Sequence, residues 1–238
     1  MQSRFVQCSA ITHPGLVRAR NEDAIAVSAA TDIPPTGWTG TLPSRGGWAL
    51  VADGIGGHAG GEVASRLVVE LLRPVMSMLT DRHVVAQALT AASNGLFDTM
   101  ARHPELKGMG TTIAGVILQN DRALVFNVGD SRIYLFRDGR LEQVSEDHAV
   151  DGHTLTQCLG GLHEPGQIDP HVRQVQLPDG AKLLLCSDGL TNMVSDEEIA
   201  AILDLDDMMQ ALLLLDAAIQ KEGLDNISLV VIEKPLDG

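Results

Sequence analysis

The middle of the chain constrains the fold more than any other stretch. Three β-rich runs, residues 111–118, 122–128 and 131–136, follow one another with almost no chain between them. Asn120-Asp121 separates the first two, and Asp138-Gly139 follows the third. Both are hairpin turn dipeptides, because Asn, Asp and Gly tolerate the left-handed backbone that tight turns need. Strands joined this closely pair antiparallel, since parallel neighbours need a crossover of a dozen or more residues. The meander therefore argues against a doubly wound parallel sheet.

The flanking segments supply helices. Residues 47–52 read as a buried strand ending at Asp53. Beyond it Ala64, Leu67, Val68, Leu71, Leu72, Val75, Met76 and Leu79 recur at helical spacing, with Pro74 expected to kink that helix. Asp81 is placed to cap a second helix, with Val84, Val85, Ala88, Leu89, Ala92 and Leu96 on one face. Residues 172–177 form a strand that leads through Pro178-Asp179-Gly180 into another at 182–186. Ser195 and Glu198 make a capping box, a helix covers roughly 207–222 and ends at Gly223, and 227–232 is the last strand. The Pro-, Gly- and Thr-rich stretch 31–47 reads as a surface loop. The expected class is α+β, antiparallel sheets with helices packed outside, in a single domain over 1–238 with no dividing linker.

Charge and cysteine usage narrow the chemistry. The net charge of −14 argues against a nucleic-acid partner, which requires a basic footprint. Cys8, Cys158 and Cys186 make neither a disulfide framework nor a zinc motif. No run is apolar enough for a signal peptide or a membrane span. A cytoplasmic location without a membrane partner is expected.

The acids are placed with a pattern. Asp53, Asp130 and Asp188 each follow a predicted strand, Asp225 precedes one, and Glu22-Asp23 precede Ala24-Ile25. Strand ends meet at a sheet edge, so these carboxylates are expected to converge. Two such charges about 5 Å apart, at an effective dielectric of about 20, repel by about 3 kcal/mol. A cluster of this kind takes up protons or cations, and oxygen-only ligands suit Mg²⁺ or Mn²⁺. Asp138-Gly139, Asp151-Gly152 and Asp179-Gly180 are instead read as turns. The glycines of Asp53-Gly54-Ile55-Gly56-Gly57-His58-Ala59-Gly60-Gly61 would let a backbone carbonyl approach a metal. A phosphate cradle does not fit, because no Gly-Lys-Ser/Thr ending follows.

Six segments together resemble the metal-dependent PPM (PP2C-like) serine/threonine protein phosphatases in their compact bacterial form. They are Gly15-Leu16-Val17-Arg18 with Asn21-Glu22-Asp23, Val51-Ala52-Asp53-Gly54-Ile55-Gly56-Gly57-His58, Gly108-Met109-Gly110-Thr111-Thr112, Asn127-Val128-Gly129-Asp130-Ser131-Arg132, Cys186-Ser187-Asp188-Gly189-Leu190 and Asp225-Asn226-Ile227-Ser228. The resemblance implies an αββα sandwich with a binuclear Mg²⁺ or Mn²⁺ centre. It implies that Asp53 and the Gly54 carbonyl hold the two core ions, that Asp188 and Asp225 complete the centre, and that Glu22 and Asp23 act through metal-bound water. Asp130 with Asp188 would hold a third, weaker ion, whose water is a proton donor to the leaving group. Arg18 matches the phosphate-binding arginine, whereas Arg20 lacks that match and is read as solvated. Arg132 is given a structural role. The implied reaction is hydrolysis of phosphoserine and phosphothreonine on proteins by a metal-activated water, reversing a bacterial Ser/Thr kinase, with a type VI secretion cluster as a lead to context.

Two departures from the family pattern matter. Ile55 stands where some members carry a histidine proposed as general acid, and His58 nearby is read as structural. The flap expected after Asp147-His148 is much reduced. Two other readings fit the same fold. One is a catalytically silent phosphoprotein-binding module, whose signature, a lost ligand, is not found; the other is a phosphatase of small metabolites. A two-metal nuclease is disfavoured by the charge.

Overall fold

The computed structural model describes residues 4–30, 33–56, 60–150, 154–161, 164–205 and 209–236. In chain order these form β1 (Phe5–His13), β2 (Ala24–Val27), β3 (Trp38–Pro43), β4 (Arg45–Ala52), β5 (Gly54–Ile55), α1 (Gly60–Leu72) and α2 (Arg82–Arg102). There follow β6 (Gly110–Thr111), β7 (Ile113–Gln119), β8 (Arg122–Val128), β9 (Arg132–Arg137), β10 (Arg140–Gln143), β11 (Ala149–Val150), β12 (Thr154–Leu155), β13 (Leu159–Gly160), β14 (His171–Gln176) and β15 (Lys182–Cys186). The helices α3 (Asp188–Thr191), α4 (Asp196–Leu203) and α5 (Gln210–Gln220) then lead to β16 (Ile227–Glu233).

Two antiparallel sheets face each other. One has the order β10-β9-β15-β16-β1-β3 and the other β14-β8-β7-β4-β2. The layer between them is aliphatic, drawing Ala49 and Val51 from β4, Val116 from β7, Leu183 and Leu185 from β15 and Val230 from β16. The alternate residues of the same strands face outward and are buried too. Leu50 and Ala52 pack under α1 and α2, and Leu184, Leu229 and Val231 pack under α4 and α5. Sheets covered on both faces require strands that are apolar on both faces, which is why β4 and β16 read as continuous apolar runs rather than alternating ones. The result is an αββα sandwich, with α1 and α2 on one side and α3 to α5 on the other.

Local chemistry sets most boundaries. Asn120 (φ 63°) and Asp138 (φ 50°) adopt the left-handed backbone at the two predicted hairpins. The Asp81 carboxylate caps α2 by accepting from the amides of His83 and Val84. Ser195 and Glu198 form the reciprocal capping box of α4. Three expectations need correction. Pro74 ends α1 rather than kinking it, because proline has no amide to continue the helix; the chain resumes as a short 3₁₀ turn at Met76–Met78. The stretch read as a loop over 31–47 contains the edge strand β3, whose Leu42 is fully buried. Thr111 belongs to β6, and the strand resumes only at Ile113. Asp151-Gly152, His58 and the predicted start of the last helix at Asp207 lie outside the described residues. No described helix is long and apolar enough to cross a membrane.

The cap of α4 yields a stability prediction. The Ser195 hydroxyl accepts from the Glu198 amide at 3.3 Å, and Glu198 Oε2 accepts from the Ser195 amide at 3.0 Å. Removing one N-cap acceptor costs about 1 kcal/mol. Ser195→Ala should lower Tm by roughly 2–4 °C in calorimetry, and Ser195→Thr should recover most of the loss.

Candidate metal and phosphate site

Every predicted acid stands at the same end of the two facing sheets. Antiparallel pairing brings the start of β2 beside the end of β4, with Ala24 opposite Ala52, and the start of β7 beside the end of β8, with Ile113 opposite Val128. In the other sheet it brings the end of β15 beside the early residues of β16, with Cys186 opposite Leu229. Glu22, Asp53, Asp130, Asp188 and Asp225 all leave strands at this end. They line one cavity of about 460 Å³, together with Arg18, Arg20, Gly54, Ile55, Thr112 and Leu155.

Each wall is held by named contacts. The Asp53 amide donates to Thr112 Oγ1 at 3.1 Å, and its carbonyl accepts from the Thr112 amide at 2.9 Å and from Thr111 Oγ1 at 2.8 Å. Gly54 lies against the Gly61 and Glu22 carbonyls, so a Cβ would collide with both; only glycine fits. Asp130 is aimed by its neighbour. The Gly129 amide donates to His148 Nδ1 at 3.2 Å and the Gly129 carbonyl accepts from the His148 amide at 2.9 Å. Asp147 in turn accepts from both Nε and Nη2 of Arg132, at 2.9 and 2.8 Å, the structural role expected of that arginine. Arg18 Nη2 donates to Asp225 Oδ2 at 2.6 Å, and Asn192 Nδ2 donates to Asp188 Oδ2 at 3.0 Å.

Two residues depart from the sequence reading. Asp23 does not face this cavity. It is only 5% exposed, lies behind the site and lines a second cavity with Thr12, Asn21, Arg66 and Arg73. Arg20, read as solvated, stands on the wall of the main cavity. Other residues were quoted in motifs without a role and now have one. Thr112 orders Asp53, Ser187 Oγ donates to Asp23 Oδ2 at 2.8 Å, and Asn226 ties the loop of Glu22 to β16. Ser187 and Asn226 were signalled by adjacency to Asp188 and Asp225, whereas the motif of Thr112 holds no acid and gave no such signal.

The electrostatics are those of buried acids set close to one another. Burial, followed by the charges of Asp23 and Asp188, pushes Asp53 well above the usual carboxylate range. Burial and the neighbouring Asp225 raise Asp188. Burial lifts Asp23 to about 7, against the opposing hydrogen bonds of Ser228 and Ser187. Burial and Asp188 lift Asp130 to about 6, and burial raises Glu22.

The residues fit divalent cations. The candidate donors are carboxylates and the Gly54 carbonyl, and among the described residues neither histidine nor cysteine lines the cavity, a donor set for hard ions. Behind that wall, Asp23 Oδ1 is buried without a hydrogen-bond partner among the described residues, an orphan that an ordered water satisfies. No three acidic, histidine or cysteine side chains among the described residues cage a single point.

Comparison with known proteins agrees. Residues 38–225 match the family described as Protein phosphatase 2C. The serine/threonine protein phosphatase PstP of Mycobacterium tuberculosis is 31% identical over 92% of this chain, which spans 43% of that protein's length. A crystal structure of the PstP catalytic domain in complex with 2 manganese ions superposes with a TM-score of 0.80 at 31% identity, covering 96% of this chain and 98% of that one. PppA, a regulatory component of the type VI secretion system of Pseudomonas aeruginosa, superposes with a TM-score of 0.80 at 26% identity, covering 98% of each chain.

The raised carboxyl values set a pH dependence for the metal-free protein. Asp23 and Asp130 hold protons to about pH 7 and about pH 6 when folded, against about 3.9 in an unfolded chain. Between those limits the folded state binds more protons, so its stability falls as pH rises. The contribution is complete below about pH 4 and is lost as pH passes through the folded values. In EDTA, Tm should therefore fall from pH 5 to pH 7.5, and Mn²⁺ at pH 7.5 should restore it. Asp188→Asn should flatten the fall by removing a charge that raises both Asp53 and Asp130. Thermal melts across pH, with and without metal, check all three.

Proposed function

Because the chain belongs to the protein phosphatase 2C family, we propose that its cavity hydrolyses phosphoserine and phosphothreonine esters on proteins. The observation that carries this reading is the meeting of Glu22, Asp53, Asp130, Asp188 and Asp225 with Arg18 in one cavity. Asp53, the Gly54 carbonyl, Asp188 and Asp225 would hold two core cations, Mn²⁺ or Mg²⁺, with Glu22 acting through water and Asp130 with Asp188 holding a third, while Asp23 supports the wall from behind. Bound there, the cations supply Lewis acidity, which lowers the pKa of water and neutralises phosphoryl oxygens.

The chain's own groups do the remaining work. Arg18 offers the phosphoryl group a planar fork of donors, steadied by Asp225 on one nitrogen. The departing alkoxide is a poor leaving group that needs a proton; Ile55 has none to give, and Asp130, on the cavity wall, would hold a cation that acidifies a water there. No covalent nucleophile is required, and Cys186 is fully buried with its thiol pushed up to about 12, out of the reactive range. In this reading residues 1–238 are one domain with its flap reduced to the ribbon of β11 and β12. A phosphorylated protein is the substrate, and the bacterial Ser/Thr kinase that modifies it is the opposing enzyme. Likeness to PppA supports a secretion-cluster setting. The three free cysteines fit a reducing cytoplasm.

The deciding measurement is phosphate release from a phosphothreonine peptide. Mn²⁺ or Mg²⁺ should support turnover and EDTA should abolish it; full turnover with metal content verified as nil would sink the reading. Arg18 gives a second test. If it binds the phosphoryl group in ground and transition states alike, Arg18→Ala should raise KM at least tenfold with a smaller change in kcat. Its loss frees Asp225, so metal affinity should not weaken. Calorimetric titration with Mn²⁺ checks this, and lost affinity would make Arg18 structural.

A further inference from the structure

Three large apolar side chains stand exposed beside the cavity, outside the three apolar layers of the fold. Leu16 and Val17 are each 64% exposed and Leu224 is 44% exposed, although aliphatic residues are ordinarily the most buried. They lie on two segments stapled together twice. The Leu16 amide donates to the Gly223 carbonyl at 2.8 Å, and two residues further along each segment Arg18 bonds Asp225. The backbone beneath is fixed. Gly15, at φ +79°, packs so closely on the Gly223 and Asp225 carbonyls that a Cβ would collide with them, and its amide donates to His13 Nδ1 at 3.0 Å. Leu16 Cγ stands 3.3 Å from where a Cβ on Gly223 would be. The backbone that carries these side chains is therefore preorganised, and it runs directly into Arg18 and Asp225 on the cavity wall. Adjacent exposed aliphatic groups beside a polar site mark a contact surface, and one already held in place binds without an ordering penalty.

We propose that Leu16, Val17 and Leu224 form a docking shelf for apolar side chains flanking the phosphorylated residue of a protein substrate, so that this chain selects phosphoserine and phosphothreonine in apolar sequence contexts. The inference rests on the phosphatase reading and adds the local sequence of the substrate. The occupant is the substrate's own chain, because the shelf begins one residue from Arg18 and a chain whose phosphoryl group reaches Arg18 lies alongside it. Inside the cavity Ile55 and Leu155 continue the apolar wall, while the carboxylates on the remaining walls repel acidic flanks.

The test compares phosphothreonine peptides identical except for their flanks, Leu and Val on both sides against Ser and Gly, in saturating Mn²⁺. Nitrophenyl phosphate, which has no flanks, is the reference for each variant. Wild type should show kcat/KM roughly tenfold higher for the apolar-flanked peptide, mostly through KM. That ratio should approach one in Leu16→Ser/Val17→Ser and fall in Leu224→Ser, while Leu224→Met should keep it. Equal rates on the two peptides in wild type, or a ratio untouched in both serine variants, would overturn the shelf. Turnover without flank preference removes the shelf alone, whereas no phosphate release from any of the three substrates removes the phosphatase reading and the shelf with it.

Discussion

A single side-chain amide holds the two halves of the site together. Asn226 is 6% exposed and uses both its amide donors and its side-chain oxygen to tie two segments remote in sequence. Its Oδ1 accepts from the Glu22 amide at 2.8 Å, and its Nδ2 donates to the Pro14 and Arg20 carbonyls, each at 2.9 Å. The segment carrying Arg18, Arg20 and Glu22 is thereby laid against the head of β16, where Asp225 stands. A carboxylate here would lose both donors and add another charge to a wall already crowded with acids. Each buried partner left unmet costs about 1–3 kcal/mol, so no other side chain of similar size does this work.

Holding like charges together demands a rigid frame. The acids repel one another, and burial together with that repulsion raises their proton affinities, so a soft scaffold would let them drift apart. Three apolar layers stacked through two sheets prevent this, because close-packed interiors transmit strain rather than absorb it. The strand ends are thus fixed points, and the groups that face the solvent there are chosen for chemistry at the expense of local stability. Arg18 and the paired serines near Asp23 offset only part of the repulsion, leaving the rest for cations.

Much of this was legible in the residues. Hairpin dipeptides, helix caps and the apolar periodicity of α2 report local physics, and they placed the elements well. The acids were found because a carboxylate at the end of an apolar run is unusual in itself. Two kinds of feature were not legible. β3 is an edge strand with one fully buried side chain, Leu42, among prolines, glycines and threonines, so its pairing with β1 decides its state. The depth of Asp23 and the inward placement of Arg20 depend on how the chain between β1 and β2 is folded over β16, which no local pattern encodes. The end of α1 falls between these cases. Pro74 signals a disruption, and whether the helix bends or stops is decided by what the following residues pack against.

The pairing of β1 with β16 has a consequence in time. The hydroxyls of Thr12 and Ser228 touch at 2.7 Å across a sequence separation of 216 residues, and β16 lies in the interior of its sheet, between β15 and β1. A chain emerging from the ribosome at about 5–20 residues per second must hold β1 unpaired along one edge for many seconds until β16 arrives. Such long-range closure is slow, and an open strand edge invites wrong partners meanwhile. The same delay keeps Asp225 and Asn226 away from Arg18 and Glu22, so the site cannot be assembled in a nascent or truncated chain before its synthesis has passed β16.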